Sequence, residues 1–192
     1  MVRELKRALW MMLILTLLTG TAYPALVTVL CHSLFSARAG GSLALLDGRP
    51  VGSELLAQGF TGPEYFHPRP SAVHYDASAS GGSNLGPTSR PLIERIRRDL
   101  EQFRRDNPRY SGPIPSDLLT ESGSGLDPDI SPASALAQVP RVAETRRISQ
   151  DELQKLVWST VEGRTWGLLG EPRVNVLLLN LSLDRRFPAP RP

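Results

Sequence analysis

The sequence predicts an α+β fold carried behind one N-terminal transmembrane helix, and three observations predict it. Positions 8–30 hold 23 apolar or uncharged residues in a row. Beyond them lie short alternating segments and longer ones with a three- to four-residue apolar repeat. Long Gly-, Ser- and Pro-rich stretches separate those segments, so the rest of the chain reads as one mixed α/β domain.

The apolar run ALWMMLILTLLTGTAYPALVTVL makes a helix of roughly 34 Å, enough for a hydrocarbon core of about 30 Å. Trp10 stands near one end, where an amphipathic ring suits the interface, and Tyr23-Pro24 lies inside. Pro24 removes a backbone donor and predicts a kink. Arg3, Lys6 and Arg7 precede the run, and no basic residue follows until Arg38. The positive-inside rule then places residues 1–7 in the cytoplasm, 8–30 in the inner membrane and the remainder outside it, a periplasmic location. A cleaved signal is the competing reading, but a signal's apolar core spans roughly 7–15 residues and this one is longer.

Charge adds little about partners. The formal net charge is +3 from 22 basic and 19 acidic residues. Removing Arg3, Lys6, Arg7 and Glu4 leaves 19 basic and 18 acidic, or +1. The body is nearly neutral and has no basic stripe with interleaved aromatics, so no nucleic-acid partner is expected. Cys31 is the only cysteine, which rules out an internal disulfide.

Residues 31–41 read as a linker and 42–187 as the extracytoplasmic domain, with 188–192 a tail. Ser42–Leu46, Asp47-Gly48 and Arg49–Val51 read as a β-hairpin, because Asp-Gly favours a tight primed turn. A further short strand is expected near Glu54–Gln58. From Phe60 to Ser89 periodicity stops, although Tyr65, Phe66 and Tyr75 are embedded there; such a stretch suits a binding surface better than a linker. Arg90–Asn107 is helical, with Leu92, Ile93, Ile96, Leu100 and Phe103 in one stripe and six arginines and four acids elsewhere. Residues 108–131 are irregular again. Ser131-Pro132 opens a short helix towards Gln138, and Pro140 restarts it as Arg141–Arg147. Ser149 and Glu152 have capping-box spacing before a helix that turns Leu153, Leu156, Val157 and Val161 inward. Arg173–Leu183 (RVNVLLLNLSL), β-rich and apolar on both faces, reads as a central strand.

Signs of chemistry are sparse. Three histidines and one cysteine make no metal-ligand pattern. A Ser124, His74 and Asp127 trio is the basis of one alternative, an autonomous membrane-anchored periplasmic serine hydrolase, but no nucleophile elbow surrounds Ser124. A free-standing solute-binding module is another. The run Ser122–Pro132 combines two glycines, two prolines, Asp127 and Asp129, and reads as a stiffened turn before a helix.

Several motifs, in one order, resemble the C subunit family of the bacterial Kdp potassium-transporting P-type ATPase. They are Tyr65–Ala72 (YFHPRPSA), Ser80–Leu85 (SGGSNL), Ser122–Pro132, Gln138–Ala143 (QVPRVA) and Gly170–Leu183 (GEPRVNVLLLNLSL). The resemblance implies a non-catalytic accessory subunit that stabilises an ATP-driven potassium importer and raises the ATPase subunit's affinity for ATP. It implies three partners besides membrane lipid: a potassium-conducting subunit, a P-type ATPase subunit and a small peptide subunit. ATP and K+ then belong to the complex, with no cofactor held by this chain alone. Consistently, the chain has no Asp-Lys-Thr-Gly-Thr phosphorylation motif. Two positions depart from the pattern: Asp129 stands where His or Asn is expected, and Glu171 where Gln is common. The expected interface is the aromatic loop with Tyr65, Phe66, Arg69, Ser83 and Asn84, together with Ser124, Asp127 and Asp129 of the following turn.

Overall fold

A computed structural model of the protein describes residues 1–46 and 48–188. The chain divides into two compact units, Met1–Leu43 and Ala44–Pro192.

The first unit is helical. α1 (Val2–Leu17) runs through a π-helical turn, Leu18–Ala22, into α2 (Tyr23–Leu34). These 33 residues form one helix long and apolar enough to cross a membrane, and none of its residues is buried. The kink expected at Pro24 takes the form of that π turn. Proline offers no N–H to the carbonyl four residues back, Gly20, and its ring crowds it, so the wider turn absorbs the mismatch. The helix continues beyond Leu30, and α3 (Ser36–Ala39) follows, so much of the expected linker is helical.

A two-stranded sheet comes next along the chain, β1 (Leu43–Leu46) and β2 (Arg49–Ser53). This is the expected hairpin; Asp47 of its turn lies outside the described residues, while Gly48 takes a positive φ of 77°. No strand forms at 54–58, where the chain turns and Gln58 instead donates to the Val51 carbonyl at 2.9 Å. Residues 60–89 contain neither helix nor strand, as expected. α4 (Arg90–Asp106) follows; its apolar stripe is only half-covered, with no residue fully buried.

The second sheet has three antiparallel strands in the order β3-β5-β4: β3 (Asp129–Ile130), β4 (Val161–Glu162) and β5 (Arg173–Asn175). Asp129 is opposite Asn175 and Ile130 opposite Val174; on the other side Val161 is opposite Val174. Between the strands run α5 (Pro132–Arg146) and α6 (Gln150–Thr160), and α7 (Val176–Arg186) follows β5. Both expected N-caps form: Ser131 Oγ accepts from Ser134 N–H at 3.1 Å, and Ser149 Oγ from Glu152 N–H at 3.2 Å.

Two expectations are corrected here. α5 is one helix running through Pro140, not two short ones. Val139 and Val142 flank the proline and are wholly buried, so packing on both sides outweighs the one lost hydrogen bond. The stretch expected as a long central strand is a strand for only three residues. Asn175 Oδ1 then caps α7 by accepting Leu178 N–H at 3.1 Å. Val176, Leu179 and Leu183 face the main core, while Leu177 and Leu181 pack with Ala44 in a second cluster. A helix buried on two sides is apolar all round, which mimics a central strand in sequence.

The main core joins α5, α6, α7 and β5 through Val139, Val142, Leu153, Val157, Val174 and Leu179. Phe66, from the irregular stretch, is fully buried among them.

Candidate partner interface

The irregular stretch is held by buried polar side chains that replace regular pairing. Asn180 on α7 accepts Phe66 N–H at 2.9 Å with Oδ1 and donates to the Phe66 carbonyl at 2.9 Å with Nδ2. Gln138 on α5 does the same for His67, accepting its N–H at 2.8 Å and donating to its carbonyl at 3.1 Å. Each side-chain amide stands in for a neighbouring strand. Arg141 Nη1 donates to the carbonyls of Pro63 and Tyr65 at 2.6 and 3.0 Å, Nε to Asn107 and Nη2 to Gln138. Arg146 reaches the Glu64 and Phe187 carbonyls and pairs with Asp184 at 2.7 Å. The Pro63–His67 backbone is therefore fixed by four side chains from two helices.

This environment moves proton equilibria. Burial pulls the Arg141 guanidinium down to about 10. Burial and then the Arg141 charge hold His67 below the usual histidine value, while its Nε2–H donates to the Gly62 carbonyl at 2.9 Å. Arg141 stays cationic near neutral pH and His67 neutral.

Beyond His67 the loop lies on the turn that precedes β3. Arg69 pairs with Asp127 at 3.0 Å and donates to the Glu121 carbonyl at 3.2 Å. Glu121 in turn pairs with Arg95 of α4. Ser122 N–H donates to the Pro70 carbonyl, Ser71 Oγ to the Gly125 carbonyl and Gly81 N–H to the Ser124 carbonyl, at 3.1, 2.6 and 2.8 Å. Tyr75 closes the loop on itself, its hydroxyl donating to the Arg69 carbonyl at 2.9 Å. Gly125 sits at the crossing with φ of 71°; a Cβ there would meet Val73 at 2.5 Å and the Gly81 carbonyl oxygen at 2.8 Å. Only glycine fits both the angle and the approach.

The loop and turn singled out in the sequence thus come together, but their residues divide in role. Phe66 is core, with no exposed surface. Tyr65 is half-buried, its hydroxyl donating to Asp184 at 3.2 Å and its ring under the Arg146 guanidinium at 4.9 Å. Arg69 and Asp127 are the partly covered buckle between loop and turn. Ser83, Asn84 and Ser124 are exposed on the joined surface. Ser124 Oγ lies 3.2 Å from Ser122 Oγ and accepts Leu126 N–H; among the described residues His74 makes no hydrogen bond, to Ser124 or otherwise. Asp129 Oδ2 pairs with Arg173 at 3.1 Å, and Arg173 with Glu162 at 2.6 Å across the sheet. Burial raises the Asp129 carboxyl despite Arg173. Among the described residues no group of three metal-ligating side chains gathers.

A cleft of about 450 Å³ opens beside the clamp, lined by Thr61, His67, Asp106, Arg109, Arg141 and Glu144 among others. Arg109 and Glu144 pair across it at 2.7 Å, and Arg141 spends four hydrogen bonds on its own chain.

The clamp residues Gln138, Arg141, Arg146 and Asn180 are not individually legible as functional in the sequence. Their signal is a polar residue on the apolar face of a helix: Ser134, Gln138 and Arg141 at helical spacing, and Asn180 within LLLNLSL.

Known proteins match this sequence over nearly the whole chain. The family model described as K+-transporting ATPase, c chain (KdpC) matches residues 5–185. The chain belongs to the KdpC family. It is 51% identical to the potassium-transporting ATPase KdpC subunit of Methylobacterium nodulans, over 96% of this chain and 98% of that protein. The subunit of the same name from Myxococcus xanthus is 56% identical over 88% of this chain and 82% of its own length. That of Bradyrhizobium diazoefficiens is 48% identical over 96% and 98%. The KdpC match covers residues 5–34 of the apolar helix as well as most of the second unit.

Proposed function

We propose that this chain is the non-catalytic accessory subunit of an ATP-driven potassium importer, docking on its partners through the joined surface of residues 65–84 and 122–129. The observation that supports this most is the clamp: four buried polar side chains hold a stretch without regular structure in one shape. A surface fixed before binding loses little entropy on association, which suits a permanent subunit contact. Ser83, Asn84 and Ser124 are the contact residues in this reading, with Arg69, Asp127 and Asp129 setting their positions.

The partners are a potassium-conducting subunit, a P-type ATPase subunit and a small peptide subunit. The basic flank at Arg3, Lys6 and Arg7 supports an inner-membrane orientation with the N-terminus in the cytoplasm and the C-terminal domain periplasmic. ATP and K+ are then handled by the partners. The gain in ATP affinity is a coupling free energy carried through membrane helices, because a domain outside cannot touch nucleotide inside.

Cysteine chemistry tests this directly. In a Cys31→Ser background, Ser124→Cys is expected to react with an impermeant maleimide in cells with an opened outer membrane. A photo-cross-linker there should capture the potassium-conducting subunit. Capture of the cytoplasmic nucleotide-binding domain would refute the orientation and the docking surface together.

A further inference from the structure

Between β4 and β5 the chain makes a projecting turn whose composition the interface does not use. Thr165 and Leu169 bridge antiparallel, and Trp166 and Gly167 form the corner with φ of 55° and 75°. A positive φ is unfavourable for a bulky side chain, so tryptophan here is held against its preference. The turn leaves Trp166 86%, Leu168 81% and Leu169 58% exposed.

Three features fit this tip for an apolar surrounding. Four of its backbone N–H groups are paired internally: Thr165 N–H donates to the Leu169 carbonyl, the Leu168 and Leu169 N–H groups to the Thr165 carbonyl, and Gly167 N–H to the Arg164 carbonyl. Each N–H already paired is spared the cost of an unsatisfied donor on leaving water, which suits a tip seated no deeper than the hydrated headgroup layer. The charges at its base are paired, Arg164 with Glu171 at 2.7 Å and Arg173 with Glu162 at 2.6 Å. The tip itself carries no charge, and its main polar side-chain group is an indole N–H, which suits the carbonyl and headgroup layer.

The chain also bounds where this surface can be. From Leu34, the end of the apolar helix, to Ala44, the segment reaches at most about 35 Å fully extended. The domain cannot leave the neighbourhood of the bilayer that its own helix crosses.

We propose that Trp166, Leu168 and Leu169 seat in the headgroup–acyl boundary of that bilayer, as a second point of membrane attachment. Three apolar side chains on a rigid turn form a weak anchor alone, but the tether makes their insertion intramolecular. The turn then fixes the orientation of the domain over the membrane, on whichever side it lies.

The test uses the full-length chain in lipid nanodiscs, alone and within its complex. Trp10→Phe with Trp158→Phe leaves Trp166 as the one remaining tryptophan of three. Expected are a blue-shifted emission, loss of fluorescence with lipids brominated high on the acyl chain, and shielding from iodide, with or without partners. Quenching by iodide and not by bromolipid would overturn the proposal. So would shielding from both that arises only in the complex, which would assign the tip to a protein cleft. A nitroxide at Leu168→Cys, in the Cys31→Ser background, gives an independent reading. Oxygen contact above that of a water-soluble nickel chelate supports insertion, and the reverse order overturns it.

Discussion

Replacing Asn180 by leucine removes one of the two most buried polar groups of the clamp while keeping a side chain branched at the same carbon. Asn180 is 1% exposed and supplies both hydrogen-bond partners of Phe66. Leucine leaves the Phe66 N–H and carbonyl buried and unpaired, at a cost of about 1–3 kcal/mol each. The larger apolar side chain offsets about 1–2 kcal/mol of this. A net loss of about 3 kcal/mol follows, which for a domain of this size lowers the melting temperature by roughly 6–12 °C. The assay is reversible unfolding of the full-length chain in mild detergent, followed by circular dichroism. Asn180→Leu within about 0.5 kcal/mol of the parent would refute the reasoning, since ordinary surface changes do no more. It would mean that Phe66 packing alone holds the loop.

Three further outcomes are expected. Gly125→Ala meets Val73 and the Gly81 carbonyl at a positive φ, and should cost about 2–4 kcal/mol and expose residues 71–89 to proteolysis. His67 has its folded-state pKa depressed, so the unfolded chain takes up its proton first as pH falls through about 6.5. Stability should therefore drop below that pH in urea titrations, and His67→Gln should flatten the drop. Ser83→Arg with Ser124→Arg, both at exposed positions, should weaken retention in the complex, while the Leu126 N–H bond lost with the Ser124 hydroxyl should cost only about 1 kcal/mol of stability. Reversing the charge of Arg97 and Arg104 on α4 should weaken it less.

Much of this fold was legible because local signals and tertiary structure agree. The apolar helix, the α4 repeat and the Ser131 and Ser149 caps each follow from a short stretch of sequence. Local sequence and structure part company where packing overrides local preference. Pro140 reads as a break, yet buried valines on both sides carry the helix through it. The stretch from Val176 to Leu183 reads as a strand, because two separate clusters cover opposite sides of one helix. For the interface, the aromatic loop and the glycine-rich turn were both visible, but their contact depends on pairings such as Arg69 with Asp127, 58 residues apart. Phe66 reads as a contact residue in sequence, because aromatic residues in loops often are. Its full burial follows from Asn180, 114 residues away, which no local pattern reveals.

Affinity purification of the tagged full-length chain from mild detergent, with its partners expressed, tests the central claim most directly. The expected result is recovery of a P-type ATPase subunit and a potassium-conducting subunit in fixed ratio. Recovery should fall when Ser83 and Ser124 carry arginine. Purification of the chain alone, or equal recovery with that variant, would contradict the account.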